Sequence, residues 1–407
     1  MTAFSWWSLL LVVIFFLLMR FVVPPNKRHV LMTCGAVAVI MAQNAPMVLI
    51  RFGFATATVI ILVGGWVGAN LIARRPPDQR RAMLIGTVVF LVAPLILFKL
   101  VQTVVPVRLL DVLTSTRGKF DLGSLAPLGI SYFTFRALAY AIEIARGTIQ
   151  PVGWWRYLNY VAFWPTFLAG PIERPGSFLQ QTETVTPIHA ADVRIGVARI
   201  VMGLGKKMVL GAVFYQVAKP FLLLQTGAKN LAGWSTAETW IALTAYYLYL
   251  YCDFAGYSDA AIGTARLFGY RIRENFRLPV LATNVGEFWR RWHMSLTGWI
   301  TDYVYIGLGG NRQGLSRAAR NTFVAMLVVG LWHGLSLNFA LWGLYHACWL
   351  NAYRLYRKRR SAPPPRTWWR TALAWFVTFQ IINLGWVLFV FPTRVAVMVY
   401  LRLFGLS

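Results

Sequence analysis

Apolar runs of about twenty residues, the length an α-helix needs to cross the hydrocarbon of a bilayer, recur along this chain. They read as 4–23, 30–50, 54–73, 82–105, 125–144, 157–169, 193–218, 239–267, 322–332, 335–353, 368–391 and 395–406. Of the 407 residues 58% are hydrophobic and only 13% charged, with a mean hydropathy of +0.56. A soluble chain of this size carries about twice that charge. Backbone polar groups in a bilayer must be satisfied within the segment, so apolar spans of this kind fold as helices. The expected fold class is an all-α polytopic membrane protein of about 10–12 membrane segments. The runs 125–144 and 157–169 are shorter, with Pro165 inside the second and Pro171 just after it, so one of the two is expected to be re-entrant or interfacial. No basic residue precedes the first apolar run and no small-residue cleavage site follows it, so that run is expected to stay as a first helix. No internal repeat is visible, which removes support for an inverted-repeat transporter.

The net charge is +27. Such an excess could answer an acidic partner, nucleic acid among them, but the basic residues cluster between apolar runs, as cytoplasmic loops do. Nucleic acid is therefore not an expected partner; the membrane is. Arg20, Lys27 and Arg28, and then Arg74, Arg75, Arg80 and Arg81, mark two cytoplasmic loops. Arg51 lies in the bend between them, outside, and the N-terminus is expected outside as well. The loop from Arg354 to Arg370 is the most basic of all. It reads as a topology signal in contact with anionic lipid, or as a docking surface for an acidic carrier protein or for coenzyme A phosphates.

Cys34, Cys252 and Cys348 each sit in an apolar stretch without a C-x-x-C pair, which argues against a disulfide framework or a zinc site and for packing residues. The segment from Arg271 to Arg320 is long, mixed in polarity and aromatic. It reads as broken helices and loops buried in protein at membrane depth, the one setting in which irregular backbone is tolerated there. Gly307, Gly309 and Gly310 allow positive φ or close backbone approach in it.

Five histidines are present. His29 and His189 lie in polar loops and read as surface residues. His333, in VVGLWHGLSLNF, is ionisable inside an apolar stretch, which usually marks a functional interior. Gly330 and Gly334 beside it admit either a substrate or a neighbouring helix. The bland alternative is a core histidine bonded to a carbonyl. His293, in EFWRRWHMSL, follows Arg290 and Arg291, whose charges favour a neutral imidazole able to accept a proton. Its bland alternative is a structural hydrogen bond joining buried loops. His346 follows His333 after a rotation of about 1300° on an ideal helix, on the opposite side. If the segment stays helical the two cannot share a site, so His346 reads as structural. Metal binding lacks H-E-x-x-H or carboxylate-rich spacing, so no metal site is expected. A Ser-His-Asp hydrolase lacks G-x-S-x-G. Asp253 and Asp259 lie in an apolar, aromatic run and are expected to be architectural, each paired with an arginine, Arg266 or Arg290.

Five stretches in order then resemble the membrane-bound O-acyltransferases, in the bacterial branch of alginate O-acetyltransferase and the teichoic-acid D-alanyl transfer protein. They are PLGISYFTFRALAYAIEI, FWPTFLAGPIERPGSF, YCDFAGYSDAAIGTARLFGYRIRENF, EFWRRWHMSLTGWITDYVYIGLGGNR and GLWHGLSLNFALWGLYHA. The resemblance implies a single integral membrane domain over 1–407. Within it, N-terminal helices occupy 1–124, a catalytic core 125–353, a basic cytoplasmic loop 354–370 and C-terminal helices 371–407. It implies a ring of helices around a thin central core with a tunnel. There a cytoplasmic thioester donor, acyl-CoA or an acyl carrier protein's phosphopantetheine, meets an acceptor on the outer side. The family's W-H-G histidine matches His333 and its R-W-H histidine matches His293.

On this reading His333 is the general base, and His293 orients the acceptor or donates to the developing oxyanion. Trp292 and Trp332 line a narrow passage. Arg290 and Arg291 fix the buried loop or counter donor charge, and Asp302 and Asn311 brace the backbone. No tightly bound cofactor is implied; the partners implied are a glycopolymer acceptor, an acidic acyl carrier protein at the cytoplasmic face and an accessory protein outside. Thr301 and Gly307 depart from the alginate pattern. SYFTFRA, FWPT and GPIER lean to the D-alanyl branch and LGGNR to the acetyl branch, with a slight balance toward D-alanyl. The expectation is an O-acyltransferase of a bacterial cytoplasmic membrane, modifying a cell-envelope glycopolymer with a D-alanyl or acetyl group. The rival is a transporter or export pore for polysaccharide or lipid.

Overall fold

The computed structural model describes residues 30–35, 48–104, 129–183, 188–225, 231, 233–359 and 367–406, with isolated positions 14 and 16–18. Most of the first and of the second expected span lies outside the described residues, as do His29 and residues 360–366 of the basic loop. Among the described residues all regular structure is helical. Three helices there are long and apolar enough to cross a membrane, over Thr56–Ala73, Arg80–Val101 and Trp368–Val390. The chain divides into two compact units, Met1–Ile200 with Ala260–Arg273, and Val201–Asp259 with Glu274–Ser407.

In the first unit α1 (Val48–Ala73), α2 (Arg80–Val104) and α3 (Ile130–Ala145) pack on one another. The run 157–169 is no crossing helix. It is the short α4 (Trp154–Val161), then a 3-10 turn, Trp164–Thr166, with Pro165 inside. Breaking a helix in an apolar interior leaves carbonyls without partners. Arg136, fully buried on α3, supplies them: its guanidinium donates to the carbonyls of Val161, Thr166 and Pro171 at 3.3, 2.9 and 3.2 Å, and to the Thr166 hydroxyl at 2.6 Å. The helix α5 (Pro175–Glu183) follows.

Helix α6 (Ala190–Leu204) runs through a π-helical turn, Gly205–Leu210, into α7 (Gly211–Leu222), and α8 spans Thr236–Leu267. The π turn inserts one extra residue and corrects the expected pairing of the α8 acids. Asp259 accepts from Lys206 at 2.6 Å and Asp253 from Lys207, lysines where arginines were expected. The backbones touch here, for a Cβ built on Gly256 lies 2.6 Å from the Gly203 carbonyl oxygen, and that closeness brings the short acids within lysine reach. Arg266 serves the first unit instead, at 2.7 Å from Asp192.

The rest of the second unit is α9 (Val285–Arg291), α10 (Met294–Ile300), a π turn Thr301–Tyr305, α11 (Leu315–His333), α12 (Leu337–Lys358), α13 (Trp368–Val390) and α14 (Thr393–Leu403). Cys252 is buried as a packing residue; Cys34 and Cys348 instead lie on exposed faces.

Candidate active site

The stretch around His293 is broken by design of its sequence. Asn284 caps α9 by accepting the Glu287 N–H at 2.8 Å, and the Glu287 carboxylate reaches back to the Thr283 N–H and hydroxyl, both at 2.8 Å. This is close to a capping box, which fixes where a helix starts. Glu287 also accepts from Arg291 at 2.6 Å. Partial burial works against its ionisation, but the Thr283 bonds and then the Arg291 and Arg290 charges outweigh it and hold its carboxyl below the ordinary range. Helix α9 ends at Arg291, and His293 takes φ 42°, a left-handed conformation, before α10 begins. Left-handed backbone is costly for a residue with a Cβ. Strain of this kind gathers at functional sites when neighbours over-determine it.

Those neighbours are explicit. Asn275 is fully buried and its carbonyl accepts the Met294 N–H at 2.8 Å. Its Oδ1 lies 3.1 Å from His293 Nδ1, and accepts the Ser295 hydroxyl at 2.8 Å and the Ser295 N–H at 3.3 Å. Phe254, on α8, meets the His293 ring edge-on at 4.7 Å. His293 is itself 3% exposed.

His333 closes α11 and is half-buried. Beyond it Gly334 and Ser336 are extended and α12 starts anew at Leu337. The segment does not stay helical, so the rotation that set His346 apart from His333 does not apply. Both rings pack on the Trp342 indole, His333 at 5.5 Å and His346 at 4.9 Å. Gly330 meets the neighbouring helix rather than open space: a Cβ there would lie 2.3 Å from the Phe339 carbonyl oxygen, and one on Gly343 2.4 Å from that of Met326. Small residues of this kind let helices approach backbone to backbone.

Trp332 joins the two histidines. Its indole lies 6.2 Å from the His293 ring and 4.5 Å from the His333 ring. Phe389 packs on His333 at 4.8 Å and Trp342 at 5.3 Å, so the wall is aromatic throughout. The indole N–H groups of Trp289 and Trp342 are buried with no hydrogen-bond partner among the described residues.

The paired arginines part company. Arg291 is held by Glu287, while Arg290 is exposed and lines a cavity of about 550 Å³. Arg354, Arg357, Lys358 and Tyr353 stand on the same cavity, and Trp289, Leu296, Met326 and Val329 give it an apolar side. Neither histidine is among its lining residues. Ring contacts link it to His333 through Trp289 and Trp342, at 5.8 and then 5.5 Å.

Other expected site residues fall differently. Trp292 is buried in aromatic packing against Phe276, Phe288 and Trp386 at 5.1, 5.5 and 5.2 Å. Asp302 is half-buried in the π turn and Asn311 is exposed. The turn between the π turn and Asn311 uses Gly309 and Gly310 at φ 99° and 59°. Asn321 is the residue that braces this turn, donating to the carbonyls of Leu308 and Gly310 at 3.1 and 2.9 Å. The sequence did not single out Asn275, Asn321 or Trp342, because the groups they meet lie far from them along the chain. Among the described residues no group of three His, Cys, Asp or Glu side chains gathers as a metal site.

Helices long and apolar enough to cross a membrane, together with an aromatic-walled pair of histidines, one buried and one half-buried, define an integral membrane protein with a polar site among aromatic rings. Comparison sharpens this: the model of MBOAT, the membrane-bound O-acyltransferase family, matches residues 77–390, and the chain belongs to that family. It is similar to a protein described as a probable alginate O-acetylase of Pseudomonas fluorescens, 37% identical over 270 residues, covering 65% of this chain and 51% of that one. It is also similar to a peptidoglycan O-acetyltransferase of Helicobacter pylori, 31% over 296 residues, covering 65% and 54%. A teichoic acid D-alanyltransferase of Streptococcus thermophilus is 32% identical over 311 residues, covering 70% and 73%. The chain spans about half the length of the alginate O-acetylase relatives it matches.

Proposed function

We propose that this protein transfers an acyl group from a thioester to a hydroxyl of a cell-envelope glycopolymer, at a bacterial cytoplasmic membrane. The observation that carries the reading is the convergence of His293 and His333 on the Trp332 indole, in a chain of the membrane-bound O-acyltransferase family. A hydroxyl becomes an effective nucleophile when a base takes its proton as it attacks, and histidine suits that task near neutral pH. His333 is the general base. The hydroxyl oxygen attacks the thioester carbonyl, its proton passes to His333, and collapse expels the thiolate, which takes the proton back.

The oxyanion needs donors in a dry site. The unpartnered Trp342 N–H, on an indole packed edge-on to His333, supports that role. The donor is a phosphopantetheine thioester, on coenzyme A or on an acidic carrier protein. Its anionic end suits the cations of the cavity, Arg290, Arg354, Arg357 and Lys358, and its slender acyl arm suits the apolar side. For the arm to reach His333, Trp289 must move from its contact with Trp342, opening the tunnel that the resemblance implies. The higher identity to alginate O-acetylases than to D-alanyltransferases favours acetyl as the acyl group.

The test is intact-mass and linkage analysis of envelope glycopolymers from cells with the native protein, with His333→Ala, or with none. An ester present only with the native protein supports transfer, and its mass separates acetyl from D-alanyl. Identical polymers in all three, with the variant folded and present, would reject the reading in favour of transport.

A further inference from the structure

The side-chain amide of Asn275 touches four groups, and their donor and acceptor chemistry settles more than their distances do. The Ser295 backbone N–H can only donate. The amide atom facing it is therefore the oxygen Oδ1, at 3.3 Å. The opposite end is consistent, since Nδ2 donates to the Ser258 hydroxyl at 3.0 Å, an atom able to accept. An amide oxygen can only accept. His293 Nδ1, 3.1 Å from that oxygen, must then carry a hydrogen. A neutral imidazole with its hydrogen on Nδ1 has its lone pair on Nε2.

We infer that Asn275 is a positioning residue that locks His293 in the Nδ1–H tautomer and makes its Nε2 a hydrogen-bond acceptor. The consequence bears on the reaction. A neutral His293 in this state cannot donate to an oxyanion through Nε2; it accepts from the incoming hydroxyl and aims that hydroxyl for attack. Of the two roles open to His293 in the sequence, orienting the acceptor is the one the tautomer permits.

The lock is built from several elements. Helix α8 contributes Ser258 to the amide and Phe254, one turn earlier, to the ring face at 4.7 Å. The loop carrying Asn275 also holds the Met294 N–H by its carbonyl at 2.8 Å, so backbone and side chain of one residue secure both the strained turn and the ring. Ser295 adds a hydroxyl donor at 2.8 Å. Orientation of a histidine through its second nitrogen is the general means by which proteins fix which ring nitrogen is available.

This inference rests on the placement of His293 in the transfer site, but its first test does not require activity. Full-length protein labelled with 15N-histidine in lipid vesicles is measured by solid-state NMR at pH 8, with His293→Gln used to assign the signal by difference. Expected is a protonated Nδ1 and an unprotonated Nε2 for His293. A hydrogen on Nε2 would overturn the tautomer lock even if the protein proves to be a transferase. The lock could equally hold in a protein that transfers nothing, so the two failures are distinguishable.

Kinetics then test the positioning role. Asn275→Ala is expected to lower kcat about 100-fold while the donor KM changes less than about threefold. Asn275→Asp keeps an acceptor oxygen for Nδ1–H and should retain the Nδ1–H signal and about a tenth or more of native kcat. A kcat for Asn275→Ala within threefold of native would sink the role. So would equal losses in the Ala and Asp variants when both melt at the native temperature. Should Asn275→Ala fail to fold, Ser258→Ala reads the same lock from its far end. With the amide then held at its oxygen end by Ser295 alone, some Nε2–H tautomer should appear beside the Nδ1–H form, with a kcat loss of about three- to tenfold. An unmixed native signal with full kcat in that variant would count against the lock.

Discussion

At the scale of residues, the informative feature is a non-glycine held at positive φ. His293 stands at φ 42°, a conformation that persists only where the surrounding structure over-determines it. A direct prediction is that His293→Gly and His293→Ala are both inactive but differ in stability. Glycine adopts the left-handed region at no steric cost, whereas alanine pays roughly 1–2 kcal/mol. His293→Gly should therefore melt several degrees above His293→Ala in detergent; equal melting temperatures would show that the turn is unstrained. A second prediction concerns Trp342. Trp342→Phe keeps an aromatic ring against His333 and deletes the unpartnered N–H. Loss of an oxyanion donor costs about 10²-fold in kcat, read as a fall in kcat at nearly constant donor KM. A kcat within twofold of native removes Trp342 from the mechanism. In the sequence His333 stood out as an ionisable group in an apolar run, and His293 by the arginines and tryptophans before it. Asn275 was not, since its meaning lies in contacts with Ser258 and Ser295 that no local pattern encodes. The different duties of Arg290 and Arg291 were hidden for the same reason.

At the scale of elements, long helices with clear apolar runs were legible and broken ones were not. Helices α8 and α13 fall within a few residues of their expected limits. The run 193–218 was read as one span, yet it carries the π turn that presents Lys206 and Lys207 to Asp259 and Asp253. A π turn has no compositional signature; it is set by tertiary demand, here by the closeness of Gly256 and Gly203. The resulting pairs predict a double-mutant pattern. Lys207→Met and Asp253→Leu should each destabilise by several kcal/mol, because each leaves a largely buried charge without its partner, while the double variant recovers most of the loss. Melting midpoints of the three variants test this, and strict additivity would mean the pair is solvated. Helices α11 and α12 carry a sterically sharper case. At Gly330 an added methyl would sit 2.3 Å from a carbonyl oxygen of α12. Gly330→Ala should force the helices apart, shift His333 at the end of α11 and cut activity by more than tenfold together with a lower melting temperature. Native activity and stability would show that the crossing can relax.

At the scale of the whole molecule, the excess of positive charge takes on a local meaning. A net charge of +27 follows largely from where basic residues lie between apolar runs, and by itself it names no partner. The second unit shows that part of it is organised: the C-terminal end of α12 brings Arg354, Arg357 and Lys358 to a cavity that Arg290 also lines, with an apolar side reaching Trp289. The sequence placed the basic stretch and proposed it for docking, but not the cavity, because Arg290 and the end of α12 meet only through tertiary packing. If these cations collect the anionic end of a thioester donor, their effect should be electrostatic and specific to the donor. Arg357→Glu with Lys358→Glu should raise the donor KM about tenfold at low ionic strength, change kcat far less, and leave the acceptor KM in place. Exposed charges are screened within about 10 Å at 0.1 M salt, so the difference from native should shrink steadily as salt is raised. A topology signal behaves otherwise. Charge reversal would then lower the amount of correctly inserted protein and leave the KM of the inserted fraction unchanged at every salt concentration. Measuring donor KM against ionic strength on purified, correctly folded variants separates these two roles for the same basic residues.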